Sequence, residues 1–376
     1  MILSIDGYEA NSGNRVGVGR FAYEILIGIE RKLKQGESQF TKARVYMPDK
    51  PIDDLPSGSA VWEYSVGKPK KLWTFIGLPW LLYRDKPKAD VIFSPTHYVP
   101  RFTNIPRVCA IMDVSYLHYP EMFDKKDLYQ LTKWTEYSVR HAAKVITISE
   151  YSKHAIMEAY TIASERIVVV YPGMSMSLLE QKPQKSSHLT RFGIRAPYIL
   201  SVGTLQPRKN FVRLIEAFSL LEDKNMTLVI VGKKGWMYED ILAAPSVYGV
   251  KDRVKILDFV NDDDLSTLYT HAQCFVLPSL YEGFGLPVLE AMAHECPIVV
   301  SNVSSIPEIA GDAAIYVDPL RVSSIAEGIT KALFEHETSP EKERLAIGKK
   351  RVSLFSWDTA AKQVLSILED VGKKSK

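Results

Sequence analysis

Short apolar runs alternate with stretches of helical spacing along most of this chain. Ile2 to Ile5 reads as a strand, and Phe21, Ile25, Leu26 and Ile29 then recur at helical intervals, predicting a helix that begins near Gly19. Val91-Ile92-Phe93, Val108-Cys109-Ala110-Ile111 and Val145-Ile146-Thr147-Ile148 read as further strands. After Ile167-Val168-Val169-Val170 the alternation fades until Tyr198, and Lys182-Pro183-Gln184-Lys185-Ser186-Ser187 has the polar composition of a linker. The pattern resumes with Tyr198 to Val202 and a helix carrying Leu214, Ile215, Ala217 and Phe218, followed by runs at Leu228 to Val231, Val254 to Leu257, Cys274 to Leu277, Pro297 to Ser301 and Ala313 to Val317. Strands alternating with helices predict parallel sheets, and 376 residues are too many for one ordinary core.

In parallel sheets ligands gather beyond the carboxyl ends of the strands, so the loops there carry the chemistry. The loop after Cys274-Phe275-Val276-Leu277 is Ser279-Leu280-Tyr281-Glu282-Gly283-Phe284-Gly285-Leu286-Pro287-Val288-Leu289-Glu290. Its glycines let the backbone approach a ligand, Pro287 suits the start of a helix, and a helix N-terminus favours phosphate. Glu282 and Glu290 flank those amides, and carboxylates accept hydrogen bonds from hydroxyls. At the end of the run Tyr198 to Val202 stands Gly203-Thr204-Leu205-Gln206-Pro207-Arg208-Lys209-Asn210, where Arg208 and Lys209 can clamp a diphosphate. Hydroxyls at both ends with phosphates between describe a nucleotide sugar.

Glu282 and Glu290, with seven residues between them in Tyr-Glu-Gly-Phe-Gly-Leu-Pro-Val-Leu-Glu-Ala-Met, resemble the signature of the retaining glycosyltransferases of family 4. The resemblance implies the GT-B fold, an α/β architecture of two Rossmann-like parallel-sheet domains facing across a cleft. It places an acceptor-binding domain at 1–177 and a nucleotide-sugar domain at 195–356, with a closing helix, 357–376, packing back on the first. It implies that Gly17, Gly19, Gly203, Arg208, Lys209, Phe259, Val260, Glu282, Gly283, Phe284, Gly285, Leu286 and Glu290 bind the donor. In that scheme Glu282 meets the sugar, Glu290 the ribose, and the backbone at Phe259 and Val260 the base. Asp113, Glu282, Arg208 and Lys209 become the catalytic set, and His97, Asp113, His118 and Ser149 the acceptor side. No metal or other cofactor is implied. The motifs of Gly203 to Asn210 and Val231 to Tyr238 are similar to those of bacterial mannosyltransferases that build surface polysaccharide, which implies GDP-mannose as donor and a glycan or lipid-linked acceptor, with UDP-sugars as the alternative. Met112 departs from the pattern, since relatives have histidine there.

Other features narrow the reading. Gly17-Val18-Gly19-Arg20-Phe21-Ala22 matches a dinucleotide fingerprint in form, but its glycines begin eleven residues after Asp6, so a dehydrogenase is not expected. Between Lys68 and Lys88, six cations stand against Asp85 alone and are interleaved with Trp73, Phe75, Trp80 and Tyr83. That composition fits a core helix with inward aromatics and solvated basic ends, favoured slightly, or a helix on anionic lipid at the inner face of the cell membrane. Asn261-Asp262-Asp263-Asp264 before Leu265 reads as a helix cap and first turn, not as a metal site. Ser149 reads first as a helix cap, and Ser304-Ser305-Ile306-Pro307 as a helix start. Glu295 stands where a helix ends and relatives have glycine, and a non-left-handed ending is expected there. A formal charge of +3 gives no reason to expect nucleic acid. Cys109, Cys274 and Cys296 lie in or beside apolar runs without metal-ligand spacing and are expected to be buried thiols of a cytoplasmic protein. The start Met1-Ile2-Leu3-Ser4-Ile5-Asp6 lacks a basic leader, and no apolar run is long enough for a membrane span.

Two readings compete with a transferase. A glycoside hydrolase would place carboxylates on opposite sides of the scissile bond and would not need Arg208 and Lys209. A non-catalytic nucleotide-sugar-binding protein would be consistent with Met112.

Overall fold

A computed structural model describes residues 1–13, 15, 17–174, 178, 183–194 and 197–374 of the chain. Of the linker stretch and the expected domain boundaries, residues 175–177, 182 and 195 lie outside the described residues. Two compact units emerge, one made of Met1–Pro120, Asp124–Gly173 and Ser356–Lys376, the other of Glu121–Phe123 and Met174–Phe355.

The first unit holds a parallel sheet of β1 (Ile2–Asp6), β2 (Lys42–Met47), β3 (Trp62–Val66), β4 (Val91–Ser94), β5 (Arg107–Ala110), β6 (Lys144–Thr147) and β7 (Ile167–Val169) in the order β3-β2-β1-β4-β5-β6-β7. β2 and β3 escape the sequence reading because β2 buries a cation. Arg44 is 8% exposed and interrupts the apolar run, its guanidinium donating to the carbonyls of Pro87 at 2.9 Å and Lys86 at 3.0 Å. The helix Val18–Lys34 turns Phe21, Ile25, Leu26 and Ile29 inward as its spacing predicts. It packs on the terminal helix Trp357–Lys373, where Gly28 makes the approach possible: a Cβ there would lie 2.4 Å from that of Ala361.

The second unit repeats the plan with β8 (Tyr198–Val202), β9 (Thr227–Val231), β10 (Val254–Leu257), β11 (Cys274–Leu277), β12 (Ile298–Ser301) and β13 (Ala314–Val317), all parallel and ordered β10-β9-β8-β11-β12-β13. Its helix Phe211–Ser219 buries Phe211, Leu214, Ile215, Ala217 and Phe218 against Ile199, Leu228 and Ile230. Within the expected linker, Ser186–Phe192 forms a 3-10 helix with Leu189 buried, and His188 and Arg191 reach Asp264 of the helix Asp262–His271. That helix starts as its acidic run predicts, with Asn261 Oδ1 accepting from the Asp264 amide at 2.9 Å. The three cysteines are free and buried.

Both sheets share the strand order third-second-first-fourth-fifth-sixth, to which the first sheet adds a seventh strand, and so each reverses direction beside its first strand. The reversal opens a crevice at the carboxyl ends, between β1 and β4 in one unit and between β8 and β11 in the other. The loops leaving those strands are the ones that the sequence singles out.

One helix ending runs against expectation. Glu295 takes a left-handed φ of 52° after the helix Leu286–Ala293. Its amide bonds to the Met292 carbonyl at 3.1 Å and that of Cys296 to Ala291 at 3.0 Å, the paired pattern of a Schellman end. Closing the helix this way satisfies otherwise orphaned carbonyls, which outweighs a strain of about 1 kcal/mol at a non-glycine residue.

Candidate active site

At the β8–β11 crevice, Pro207–Lys209 form one turn of 3-10 helix, and Asn210 turns the chain at φ 62° into the helix Phe211–Ser219. Asn210 holds that turn by donating from Nδ2 to the carbonyls of Pro278 at 2.9 Å and Pro319 at 2.7 Å. The backbone also crosses between loops, the Leu280 amide bonding to the Arg208 carbonyl at 2.9 Å. Arg208 and the loop after β11 are therefore fixed to each other before any side chain is considered.

The side chains tighten this arrangement. Lys209 Nζ donates to Glu282 Oε1 at 2.6 Å, Ser279 Oγ to the same oxygen at 2.7 Å, and Arg208 Nη1 to Oε2 at 3.2 Å. Arg208 Nη1 also donates to the Tyr281 carbonyl. Glu282 is 5% exposed. Burial pushes its carboxyl up, but the Lys209 and Arg208 charges and the hydrogen bonds from Lys209 and Ser279 outweigh it and hold it at about 2. One anion thus grips both cations and leaves the trio with a single net positive charge. Sequence spacing pairs Glu282 with sugar hydroxyls and carries no sign of this bond to the cations.

Ser304 and Ser305 serve the same loop. Ser304 Oγ accepts from the Glu282 amide at 2.9 Å, and Ser305 Oγ donates to the Glu282 carbonyl at 2.9 Å. Their motif predicts a helix start, and the helix Ile306–Ala310 does follow, but neither hydroxyl caps it. Only spatial neighbourhood reveals their work on Glu282.

Gly285 sets the direction of the helix Leu286–Ala293. It sits at φ 101°, and a Cβ there would come 2.7 Å from Ile306 Cδ1. A side chain is excluded both by conformation and by space. A second close approach joins the ends of β8 and β9, where a Cβ on Gly232 would lie 1.9 Å from the Gly203 carbonyl oxygen. Gly283 and Phe284 complete the loop, with Phe284 edge-on to Phe355 at 5.5 Å.

Glu290 lies one turn into the helix and is half-buried. Tyr269 Oη donates to its Oε2 at 2.9 Å, while the His294 ring stacks on Tyr269 at 5.4 Å and contacts Ser266 Oγ at 3.0 Å. Burial and the Glu290 charge push the Tyr269 hydroxyl up, so it stays a donor. In sequence Tyr269 reads as one apolar position on a helix face, and nothing there signals its link to Glu290. Beyond β10, Phe259 is exposed with Lys233 Nζ 4.7 Å from its ring centre, and Val260 is buried.

The remaining candidates belong to the first unit. Gly17, at φ 50°, precedes the helix Val18–Lys34, and Gly19 lies in its first turn, where a Cβ would stand 3.3 Å from the Glu9 carbonyl. Asp113 Oδ1 accepts from the Ser115 amide at 2.9 Å, beside Met112, which is 6% exposed. His97, half-buried at the end of β4, has its imidazole pushed down by burial, against the pull of the Asp113 carboxylate and a backbone hydrogen bond at Asp113. It stays neutral near pH 7 and can accept a proton. His118 is exposed at the end of the turn Ser115–His118. Ser149 is fully buried and caps the helix Glu150–Tyr160, its Oγ accepting from the Ser152 amide at 3.0 Å. Among the described residues no three carboxylate, histidine or cysteine side chains group as a metal site.

Residues 190–350 match the family described as glycosyl transferases group 1. The chain is similar to O-antigen chain mannosyltransferase B of Escherichia coli, 32% identical over 286 residues that cover 74% of each protein. It is also similar to O-antigen chain mannosyltransferase RfbU of Salmonella typhimurium, 29% identical over 229 residues and 61% of each. Among solved structures, sucrose-phosphate synthase from Thermosynechococcus elongatus superposes with a TM-score of 0.78 over 99% of each chain at 17% identity, and so shares the fold. Two Rossmann-like units with the same strand order, a cation pair locked to the loop after β11 and these likenesses agree, and the chain belongs to the glycosyl transferases of group 1, with the GT-B fold.

Proposed function

We propose that the protein transfers mannose from GDP-mannose to a glycan or lipid-linked acceptor in surface polysaccharide synthesis, retaining the anomeric configuration and using no metal. The observation that carries this reading is the Glu282–Lys209–Arg208 cluster at the strand-order reversal, beside the start of the helix Leu286–Ala293. The bond from the sugar's anomeric carbon to the diphosphate breaks with its electron pair on the departing nucleotide, and an acceptor hydroxyl oxygen takes its place. Arg208, Lys209 and the helix N-terminus meet the charge that develops on the diphosphate, the part that a metal ion plays in other active sites.

Glu282 has a double task. Three of its roughly four lone-pair sites hold Ser279, Lys209 and Arg208, which leaves one for a sugar hydroxyl. Glu290, aimed by Tyr269, accepts from the ribose, and the backbone at Phe259 and Val260 meets the base. The amides of Gly283 to Leu286 and the loop at Gly203 line the donor. Asp113, His97 and His118 serve the acceptor, with neutral His97 and Asp113 able to take the hydroxyl proton, whereas Ser149, fully buried as a helix cap, does not reach it. Mannose is supported by the names of the two O-antigen relatives.

The test is a thermal-stability panel of nucleotides and nucleotide sugars with and without chelator, followed by transfer of labelled mannose to lipid-extracted acceptors. GDP-mannose should raise the melting temperature most, and chelator should change nothing. Greater stabilisation by a UDP-sugar would replace the donor, and loss of binding or turnover with chelator would overturn metal independence.

A further inference from the structure

The π-helical turn Trp73–Gly77 runs directly into the helix Leu78–Arg84. One side packs inward, where Trp73, Leu78, Leu81 and Leu82 meet Tyr46 and Ile92. The other side faces water and carries Leu72, Ile76, Trp80 and Tyr83, which are 49%, 49%, 54% and 78% exposed. A surface helix ordinarily offers polar groups on that side. From Leu72 to Tyr83 there is no charged residue, and the one aliphatic hydroxyl, that of Thr74, is on a half-buried residue. The segment is apolar all round, and the expectation that its aromatics turn inward fails at Trp80 and Tyr83.

The charges sit at its two ends. Lys68, Lys70 and Lys71 precede it and Arg84, Lys86 and Lys88 follow, with Asp85 alone of opposite sign. Lys68 and Lys70 pair with Asp49, and Arg84 with Asp85, whereas Lys71 and Lys86 have no carboxylate partner among the described residues. Arg84 lies 5.2 Å from the Trp80 ring and Lys88 5.1 Å from that of Tyr83, so cations border the exposed aromatics. An apolar stripe that includes tryptophan and tyrosine, bounded by cations, matches a bilayer interface, where rings sit at headgroup depth and lysines reach lipid phosphates. A second copy of the chain is a poor occupant, because a symmetric contact would set one basic border against another.

We propose that Leu72 to Lys88 is a membrane-docking surface for anionic lipid. Leu72, Ile76, Trp80 and Tyr83 enter the headgroup and upper acyl region, and Lys71 and Lys86 engage lipid phosphates, while Arg84, paired with Asp85, and Lys88, held by the Leu82 carbonyl at 2.8 Å, add positive charge along the border. No helix among the described residues is long and apolar enough to cross a membrane, so this contact lies along the surface.

The experiment is flotation of the full chain with vesicles of phosphatidylcholine alone or with about one third phosphatidylglycerol, at low and high salt. The wild type should float with the anionic vesicles, less so in high salt, and weakly with the neutral ones. Ile76→Ser with Trp80→Ser should cut the partition coefficient by about tenfold or more. Lys71→Gln with Lys86→Gln should cut it about fivefold and flatten the salt dependence. Both variants should melt like the wild type, since these side chains are exposed. No flotation, equal flotation on neutral vesicles, or unchanged flotation of the serine variant would overturn the proposal. So would a self-association that the serine variant abolishes in the absence of lipid binding.

Discussion

Lys209 Nζ stands 2.6 Å from Glu282 Oε1, so this cation already has a carboxylate partner within the protein. With side chains only 9% and 7% exposed, the pair is shielded from solvent screening, and Arg208 shares the same carboxylate at 3.2 Å. Breaking such a pair from one side leaves a buried charge without its partner, at a cost of about 3–5 kcal/mol. Glu282→Gln and Lys209→Met should each lower the urea-unfolding free energy by about 3 kcal/mol, and the double variant by much less than the sum. Additive losses, or losses below about 1 kcal/mol, would mean that the contact is only a surface pair.

Acid should expose the same pair, and a second carboxyl gives a contrast of opposite sign. Glu282, held at about 2, contributes stability above its ordinary value of 4.5 and loses it as pH falls towards 2. Asp6 is buried, which pushes its carboxyl up to about 6, opposed by hydrogen bonds from the Trp73 indole at 2.9 Å and the Tyr8 amide. A raised carboxyl is least costly below its ordinary value of 3.8 and destabilises the fold as pH rises through 6. Asp6→Asn should therefore gain up to about 3 kcal/mol above pH 6 and almost nothing near pH 4, measured as urea midpoints across pH. A gain independent of pH would remove burial of the charge as its cause.

Tyr269 aims Glu290 through a 2.9 Å hydrogen bond. Tyr269→Phe should weaken donor binding about tenfold in calorimetric titration while costing about 1 kcal/mol of stability. Added to Glu290→Gln, it should cause little further loss of affinity. Independent losses would show that the tyrosine acts on something other than Glu290.

Glu295, at φ 52°, holds a left-handed position that glycine occupies without strain. Glu295→Gly should raise the unfolding free energy by about 1 kcal/mol, less the exposed pair with Lys349 at 2.6 Å, which is worth little. A destabilised variant would show that the ion pair outweighs the backbone.

The sequence exposes those parts of the molecule where one residue type has one physical reason to be present. Apolar runs of uniform burial, such as Cys274 to Leu277, declare themselves, as do the caps at Ser149 and Asn261. β2 does not, because Arg44 is buried there by donating to the carbonyls of Lys86 and Pro87, which are distant in sequence. Within the site, Arg208, Lys209, Glu282 and Glu290 are legible from their types and spacing. The support given by Ser279, Ser304, Ser305 and Tyr269 depends on which loops meet across β8, β11 and β12, and on no local pattern. Glu282 shows the difference most plainly, since its identity is readable and its bond to the cation pair is not.

The most direct test of the central claim is calorimetric titration of guanosine and uridine mono- and diphosphates into the wild type and into Arg208→Gln. If Arg208 and Lys209 clamp a diphosphate, the second phosphate should tighten binding of the preferred nucleoside by about a hundredfold, and Arg208→Gln should erase most of that gain. Equal affinity for mono- and diphosphate, or a gain that survives the substitution, would contradict it.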